Sequence, residues 1–158
     1  SILSVSGQLS MQQGGPTIRK FSQYDWGYEF NTIRRSVYVP LFRNTLLEVF
    51  DTFDVANPNV VSGRRSETIL PTLALYLMNS PFVNAEAERA GERIIRSGTT
   101  DAERVRLVYR LALGREPSAV EADVVMKFIE ESKVGEKSGA WSALVHSLFG
   151  SVDFRHLD

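Results

Sequence analysis

The stretch that decides the fold runs from residue 80 to residue 114 and reads SPFVNAEAERAGERIIRSGTTDAERVRLVYRLALG. Ser80 before Pro81 is an N-cap followed by proline at the first helical position, so a helix is predicted to begin there. Gly98 predicts the end of that helix, because glycine readily takes the left-handed conformation that closes helices. Between these signals the apolar positions recur at helical spacing: Val83, Ala87, Ala90 and Ile94.

Similar signals continue to the end of the chain. Thr100-Asp101 caps the next helix, which Gly114 ends, and Ser118 with Glu121 forms a capping box for the one after it. The inward faces of these two helices are predicted from their apolar positions: Val105, Val108, Leu111 and Ala112 on the first, and Val120, Val124, Phe128 and Ile129 on the second. A last helix carries its stripe at the i, i+3, i+4, i+7, i+8 positions: Trp141, Leu144, Val145, Leu148 and Phe149.

The region before residue 80 is less regular. Residues 69–79 are apolar nearly all round, which predicts a buried central helix. Residues 21–30 and 35–39 have strand-like patterns that can pair as a small β-hairpin, and residues 50–65 form a long loop. The fold is therefore predicted to be mainly α, a bundle of about five to six helices under an irregular N-terminal half.

We predict one domain over residues 1–158, with an irregular arm and loop over 1–67 and the bundle over 68–158. The opening residues are expected to be the tail of a helix begun upstream, so the chain is expected to be a fragment of a larger protein. No apolar run approaches the roughly 20 residues that a bilayer-spanning helix needs. A net charge of −1 gives no general attraction to nucleic acid, so neither membrane insertion nor a nucleic-acid partner is expected.

Catalytic motifs are missing from the sequence. Without cysteine the chain has no disulfide, no thiolate metal site, no cysteine nucleophile and no c-type haem attachment motif. Its two histidines, His146 and His156, lack any metal-binding spacing, and no nucleophile elbow or phosphate-binding glycine loop occurs. We therefore predict no catalytic residue, no metal and no cofactor, and expect a protein that is not an enzyme.

Two arginine doublets beside the long loop, Arg34-Arg35 and Arg64-Arg65, are the most suggestive polar feature. They can place guanidinium groups around one anion, or they can form internal salt bridges, which is the commoner use of partly buried arginine. Calcium at Asp51, Asp54, Asn57 and Asn59 is disfavoured because the spacing does not fit a calcium loop. The candidate binding residues are Arg34, Arg35, Tyr38, Asp51, Asp54, Arg64 and Arg65.

Several segments resemble one known family, the planctomycete-specific C-terminal domain of unknown function called DUF1553. They are residues 34–39 (RRSVYV), 46–51 (LLEVFD), 64–68 (RRSET) and 109–117 (YRLALGREP). The resemblance implies a part of a large exported protein, extracytoplasmic, that often has a cytochrome-c-like domain upstream. It supplies no active-site residues.

Two functions stay open at this point. The first is a binding or scaffolding module that contacts the upstream domains of its parent protein or a glycan. The second is part of a hydrolase that acts on polysaccharides, which needs two carboxylates about 5–10 Å apart across a cleft. Its candidates flank the long loop: Asp51, Asp54 and Glu67.

Overall fold

The computed structural model is mainly helical, as the sequence predicts. It describes residues 1–15, 17, 32–41, 50, 52, 55, 71–97, 100–132 and 137–155. Seven α-helices lie in these ranges: α1 (Ile2–Ser6), α2 (Pro71–Asn79), α3 (Pro81–Ile95), α4 (Asp101–Leu113), α5 (Ala119–Glu131), α6 (Lys137–Gly150) and α7 (Val152–Arg155).

The chain divides into two compact units. The helical unit comprises Ser1–Gln8 and Leu77–Asp158, and the second unit comprises Leu9–Tyr76. Residues 1–8, which the sequence analysis assigned to the irregular arm, thus pack in the helical unit. That residues 1–158 form a single domain stays a prediction.

The helical unit is built around α3 and α6, which make the most extensive contact among the described helices. Their facing sides are fully buried: Val83, Ala87, Ala90 and Ile94 on α3, and Trp141, Leu144, Val145, Leu148 and Phe149 on α6. All nine residues are among those that the sequence predicted to face inward. Gly91 lets the two backbones approach, because a Cβ placed on it would lie 2.6 Å from Ser142 Oγ and 2.8 Å from Ser142 N.

The predicted helix starts are confirmed, two of them with their capping hydrogen bonds. Ser80 is the N-cap of α3 and proline follows it, although the serine side chain makes no cap bond. Thr100 Oγ1 accepts from Glu103 N at 3.3 Å and the Glu103 carboxylate accepts from Thr100 N, which makes a capping box. Ser118 and Glu121 form the second box, and Gly114 closes α4 with a φ of 69°.

The predicted inward face of α5 is wrong for three of its four residues. Val120, Val124 and Phe128 are exposed, whereas Val125 and Ile129 are buried. The sequence of α5 has apolar residues on two sides, and helical spacing alone does not say which side meets the core.

Two further expectations are corrected. In α2, predicted as buried throughout, only Leu77 is buried, while Leu75 and Met78 are exposed. The predicted strand over residues 35–39 is a short 3-10 helix, Ser36–Tyr38, preceded by a single parallel bridge between Ser10 and Arg34. The other strand of the predicted hairpin, over residues 21–30, lies outside the described residues.

Candidate functional site

The second unit holds the described members of the predicted binding set. Arg34 and Tyr38 come together, with the Arg34 guanidinium carbon 4.7 Å from the centroid of the Tyr38 ring. Arg35 is exposed and makes no such contact with the described residues. The other predicted members, Asp51, Asp54, Arg64 and Arg65, lie outside the described residues, as do Glu67 and His156.

The Arg34 guanidinium donates hydrogen bonds to the backbone of a turn. Its Nη2 donates to Gly14 O at 2.5 Å and its Nη1 to Gly15 O at 3.3 Å. Both glycines have positive φ, 67° and 77°, a backbone conformation that favours glycine. Thr17 Oγ1 also donates to Tyr38 O at 2.8 Å. Arg34 therefore fastens this turn, and its terminal nitrogens are already hydrogen-bonded to it.

In the helical unit, Arg115 joins three parts of the chain. Its guanidinium donates to both carboxylate oxygens of Glu121, at 2.8 and 2.9 Å, and to Asp153 Oδ2 at 2.6 Å. It also lies 5.6 Å from the ring centroid of the buried Tyr109. The pair with Arg115, together with the N–H of Ser118, lowers the pKa of Glu121 to about 2. This clasp ties the start of α5 and the short helix α7 to the end of α4.

A buried carboxylate holds α1 against α3. Glu86 is 1 % exposed, accepts a hydrogen bond from Ser6 Oγ and pairs with Arg89 one turn along α3. Arg93 Nη1 donates to Ser4 O at 3.1 Å and to Val5 O at 2.8 Å, which satisfies carbonyls at the end of α1. A buried carboxylate is tolerated only with such partners. These contacts are not predictable from local sequence patterns, because Ser6 and Glu86 lie 80 residues apart.

A groove of about 530 Å³ opens beside this contact, lined by α1, α3 and α4. Its polar rim includes Arg89 and Arg93 of α3 and Arg96, the C-cap residue that follows α3, at the i, i+4 and i+7 positions, which place them on one helix face. Its apolar floor is formed by α3 and α4. The groove lining includes Arg89, Arg93, Arg96, Ile94, Leu107 and Leu111. The sequence predicts the helix that carries these arginines, but not that α1 and α4 border this face of it, so the sequence indicates the doublets and not this triplet.

Apolar side chains on the outer face of α5 form a second surface feature. Val120, Val124 and Phe128 follow one another at i, i+4 and i+8 and are 72 %, 61 % and 43 % exposed. We call these three residues the α5 stripe. Single exposed apolar residues are ordinary, but three in a row along one helix face form a continuous apolar strip.

His146 lies on α6 and has a structural role. Its Nε2 lies 3.0 Å from Leu77 O, so the ring links α6 to the end of α2. Within the described ranges, no group of three or more histidine, aspartate or glutamate side chains is placed to hold a metal ion. Nor is any helix found there that is long and apolar enough to cross a membrane.

The described residues define a mainly helical protein whose charged clusters fasten helices to each other. The family described as PSD1, protein of unknown function (DUF1553), matches residues 1–129, and the chain belongs to this family. The match covers α1 to most of α5, including both capping boxes and the three arginines Arg89, Arg93 and Arg96. Comparison with curated proteins and with solved structures gave no significant match.

Proposed function

We propose that this chain is a non-catalytic binding and scaffolding module of a larger exported protein, and that it contacts neighbouring domains of that protein. Support comes from the way the described charged groups are used. Arg115, Glu121 and Asp153 bind each other, and Glu86 is enclosed by Ser6 and Arg89. Such closed networks hold helices in place and leave few groups for acid–base chemistry.

The observation that carries the proposal is the α5 stripe. Burying exposed apolar surface contributes about 25 cal/mol per Å², so an apolar strip of this kind gains free energy when another protein covers it. Its opposite side, with Val125 and Ile129, is already anchored in the core. The helix therefore presents a firm apolar ridge, which suits a neighbouring protein domain better than a polar glycan.

The test is a binding measurement between this chain and the upstream part of its full-length parent, produced separately and mixed at micromolar concentration. The proposal expects a saturable complex by isothermal titration calorimetry. Val124→Asp is expected to weaken that complex by about tenfold or more, because a charge would have to be desolvated in an apolar contact. Val124 is 61 % exposed, so the substitution leaves the core of the helical unit unchanged.

Val152→Asp is the matched control. Val152 is 60 % exposed but belongs to α7, where it is the first residue of the helix and an acidic side chain is well tolerated. This variant is expected to bind as the unsubstituted chain does. Absence of any complex, or equal loss in the two variants, would count against the proposal. Binding of a neutral oligosaccharide instead, unaffected by Val124→Asp, would move the function to glycan recognition at another surface.

A further inference from the structure

The groove beside α1 has an excess of positive charge that the described residues do not balance. Three guanidinium groups, those of Arg89, Arg93 and Arg96, face two carboxylates, those of Glu86 and Glu92. Arg89 pairs with Glu86, and Arg96 Nη2 donates to Glu92 Oε2 at 2.5 Å. Among the described residues Arg93 lies within ion-pair distance of no carboxylate. Three positive charges against two negative ones leave one unpaired.

Arg93 is held in place, and two of its nitrogens have no hydrogen-bond acceptor among the described residues. Its Nη1 is fixed by the carbonyls of Ser4 and Val5, while its Nε and Nη2 make no hydrogen bond within the described part of the chain. Gly7 makes room for this arrangement: a Cβ on Gly7 would lie 3.3 Å from Arg93 Cδ and 3.4 Å from Nη1. The left-handed backbone at Gly7, with a φ of 80°, also favours glycine there.

The floor of the groove has a different character from its rim. Ile94, Leu107 and Leu111 line it with aliphatic carbon, and none of the three is highly exposed. Ligand sites commonly combine an apolar lining with a few placed polar groups that fix orientation. Guanidinium groups match oxyanions best, because two parallel N–H donors fit two oxygens.

We propose that this groove binds a ligand that presents an oxyanion, such as a carboxylate, on a partly apolar frame. The oxyanion lies against Arg93 and Arg96, and the apolar frame covers Leu107 and Leu111. The inference goes beyond the scaffolding role and does not depend on it, because the α5 stripe and this groove share no residue.

The experiment is an NMR titration of the full-length chain, labelled with ¹⁵N, at constant ionic strength maintained with chloride. The probe is hexanoate, which carries both required features. Acetate lacks the apolar frame and hexanol lacks the charge, so both are expected to bind at least about fivefold more weakly than hexanoate. The shifts are expected to saturate and to centre on Gly7, Gln8 and the last two turns of α3.

Two substitutions separate the role of the groove from folding. Arg93→Gln is expected to weaken hexanoate binding about tenfold, because it removes the central charged donor. Since Arg93 also holds α1, Arg96→Gln is the second variant: that side chain is 75 % exposed and its removal leaves α1 in place. It is expected to weaken binding about threefold without lowering the melting temperature.

Arg110→Gln is the matched control, because this variant also loses one positive charge. Arg110 lies on α4 outside the groove lining, and its side chain is 60 % exposed. The variant is expected to leave the affinity unchanged. The proposal is overturned if hexanoate gives no saturable shifts or binds no better than acetate and hexanol. It is equally overturned if Arg96→Gln and Arg93→Gln bind as the native chain, or if Arg110→Gln loses as much affinity as they do.

Discussion

Gly91 illustrates how a single residue sets the distance between two helices. It lies on the buried side of α3, and a Cβ at this position would approach Ser142 Oγ to 2.6 Å, Ser142 N to 2.8 Å and Ser142 Cα to 3.0 Å. Two of these three atoms belong to the backbone, so a rotation of the serine side chain does not relieve the clash. The helices α3 and α6 can meet as they do only with glycine at this point.

Gly91→Ala is therefore expected to lower the free energy of unfolding by about 1–3 kcal/mol, the usual cost of overpacking a core. Alanine favours a helix by up to about 1 kcal/mol relative to glycine, but here the steric conflict exceeds that gain. The measurement is urea denaturation followed by circular dichroism at 222 nm.

Gly139→Ala, on α6, is the control. A Cβ at Gly139 meets nothing within 4 Å, and the residue is exposed. That variant is expected to be as stable as the native chain or slightly more stable. A Gly91→Ala variant that unfolds at the same urea concentration as Gly139→Ala would show that α3 and α6 are not so closely packed.

Buried Glu86 marks the limit of residue-level prediction. Its sequence neighbours Ala85 and Ala87 and its helical spacing do not indicate that a serine 80 residues away donates a hydrogen bond to it. A charged residue in a helix is usually solvated, and nothing in the local sequence distinguishes Glu86 from such residues. The three-dimensional position of α1 is what encloses this one.

At the scale of elements, the clasp around Arg115 joins the α4–α5 connection to α7. Both carboxylate partners hydrogen-bond its guanidinium, and these bonds raise the pKa of Arg115 above its ordinary value. For Glu121 the same pair, with the N–H of Ser118, lowers the pKa from near 4.5 to about 2. Because the folded-state pKa is the lower one, the ionised pair stabilises the folded protein above pH 4.5, and this contribution is lost as the pH falls toward 2.

Glu121→Gln tests this dependence. Glutamine can still close the capping box with Ser118, so the substitution removes the charge and keeps the cap. The melting temperature of Glu121→Gln is expected to lie below that of the native chain at pH 7. The difference is expected to shrink as the pH falls from 4.5 and to vanish near pH 2.

Glu130→Gln, which changes an exposed carboxylate on the same helix, serves as the comparison and is expected to show a small difference at neutral pH. Thermal unfolding followed by circular dichroism from pH 2 to pH 7 gives both series. A gap between Glu121→Gln and the native chain that persists unchanged down to pH 2 would show that the ionised pair does not stabilise the fold.

Helix starts were the most predictable feature at this scale, since capping signals are local. Thr100 and Ser118 cap the starts of two helices where the sequence predicts them, and Gly114 likewise ends one. The facing of α5 was not predictable, because its two apolar sides have similar helical spacing and the choice between them depends on what α4 and α6 offer. The clasp was equally hidden, because Arg115 and Asp153 are 38 residues apart.

At the scale of the whole molecule, the described helices of the helical unit bury their apolar faces around the contact between α3 and α6. This core was largely predictable, because α6 and α3 both carry apolar residues at helical spacing on their buried sides. The two surfaces proposed for binding were not predictable. The groove forms only where three helices meet, and the α5 stripe is a side of α5 that stays exposed.

If α3 and α6 form the core of the helical unit, their buried amides exchange more slowly than those of the other helices. Amide hydrogen exchange of the full-length chain, followed residue by residue by NMR, measures this protection. We expect the slowest exchange at buried positions of these two helices, such as Ala87, Ala90, Leu144 and Val145, and markedly faster exchange in α1 and α7. Exchange in α3 and α6 as fast as in α1, or protection that alternates from residue to residue as in an edge strand, would contradict the account.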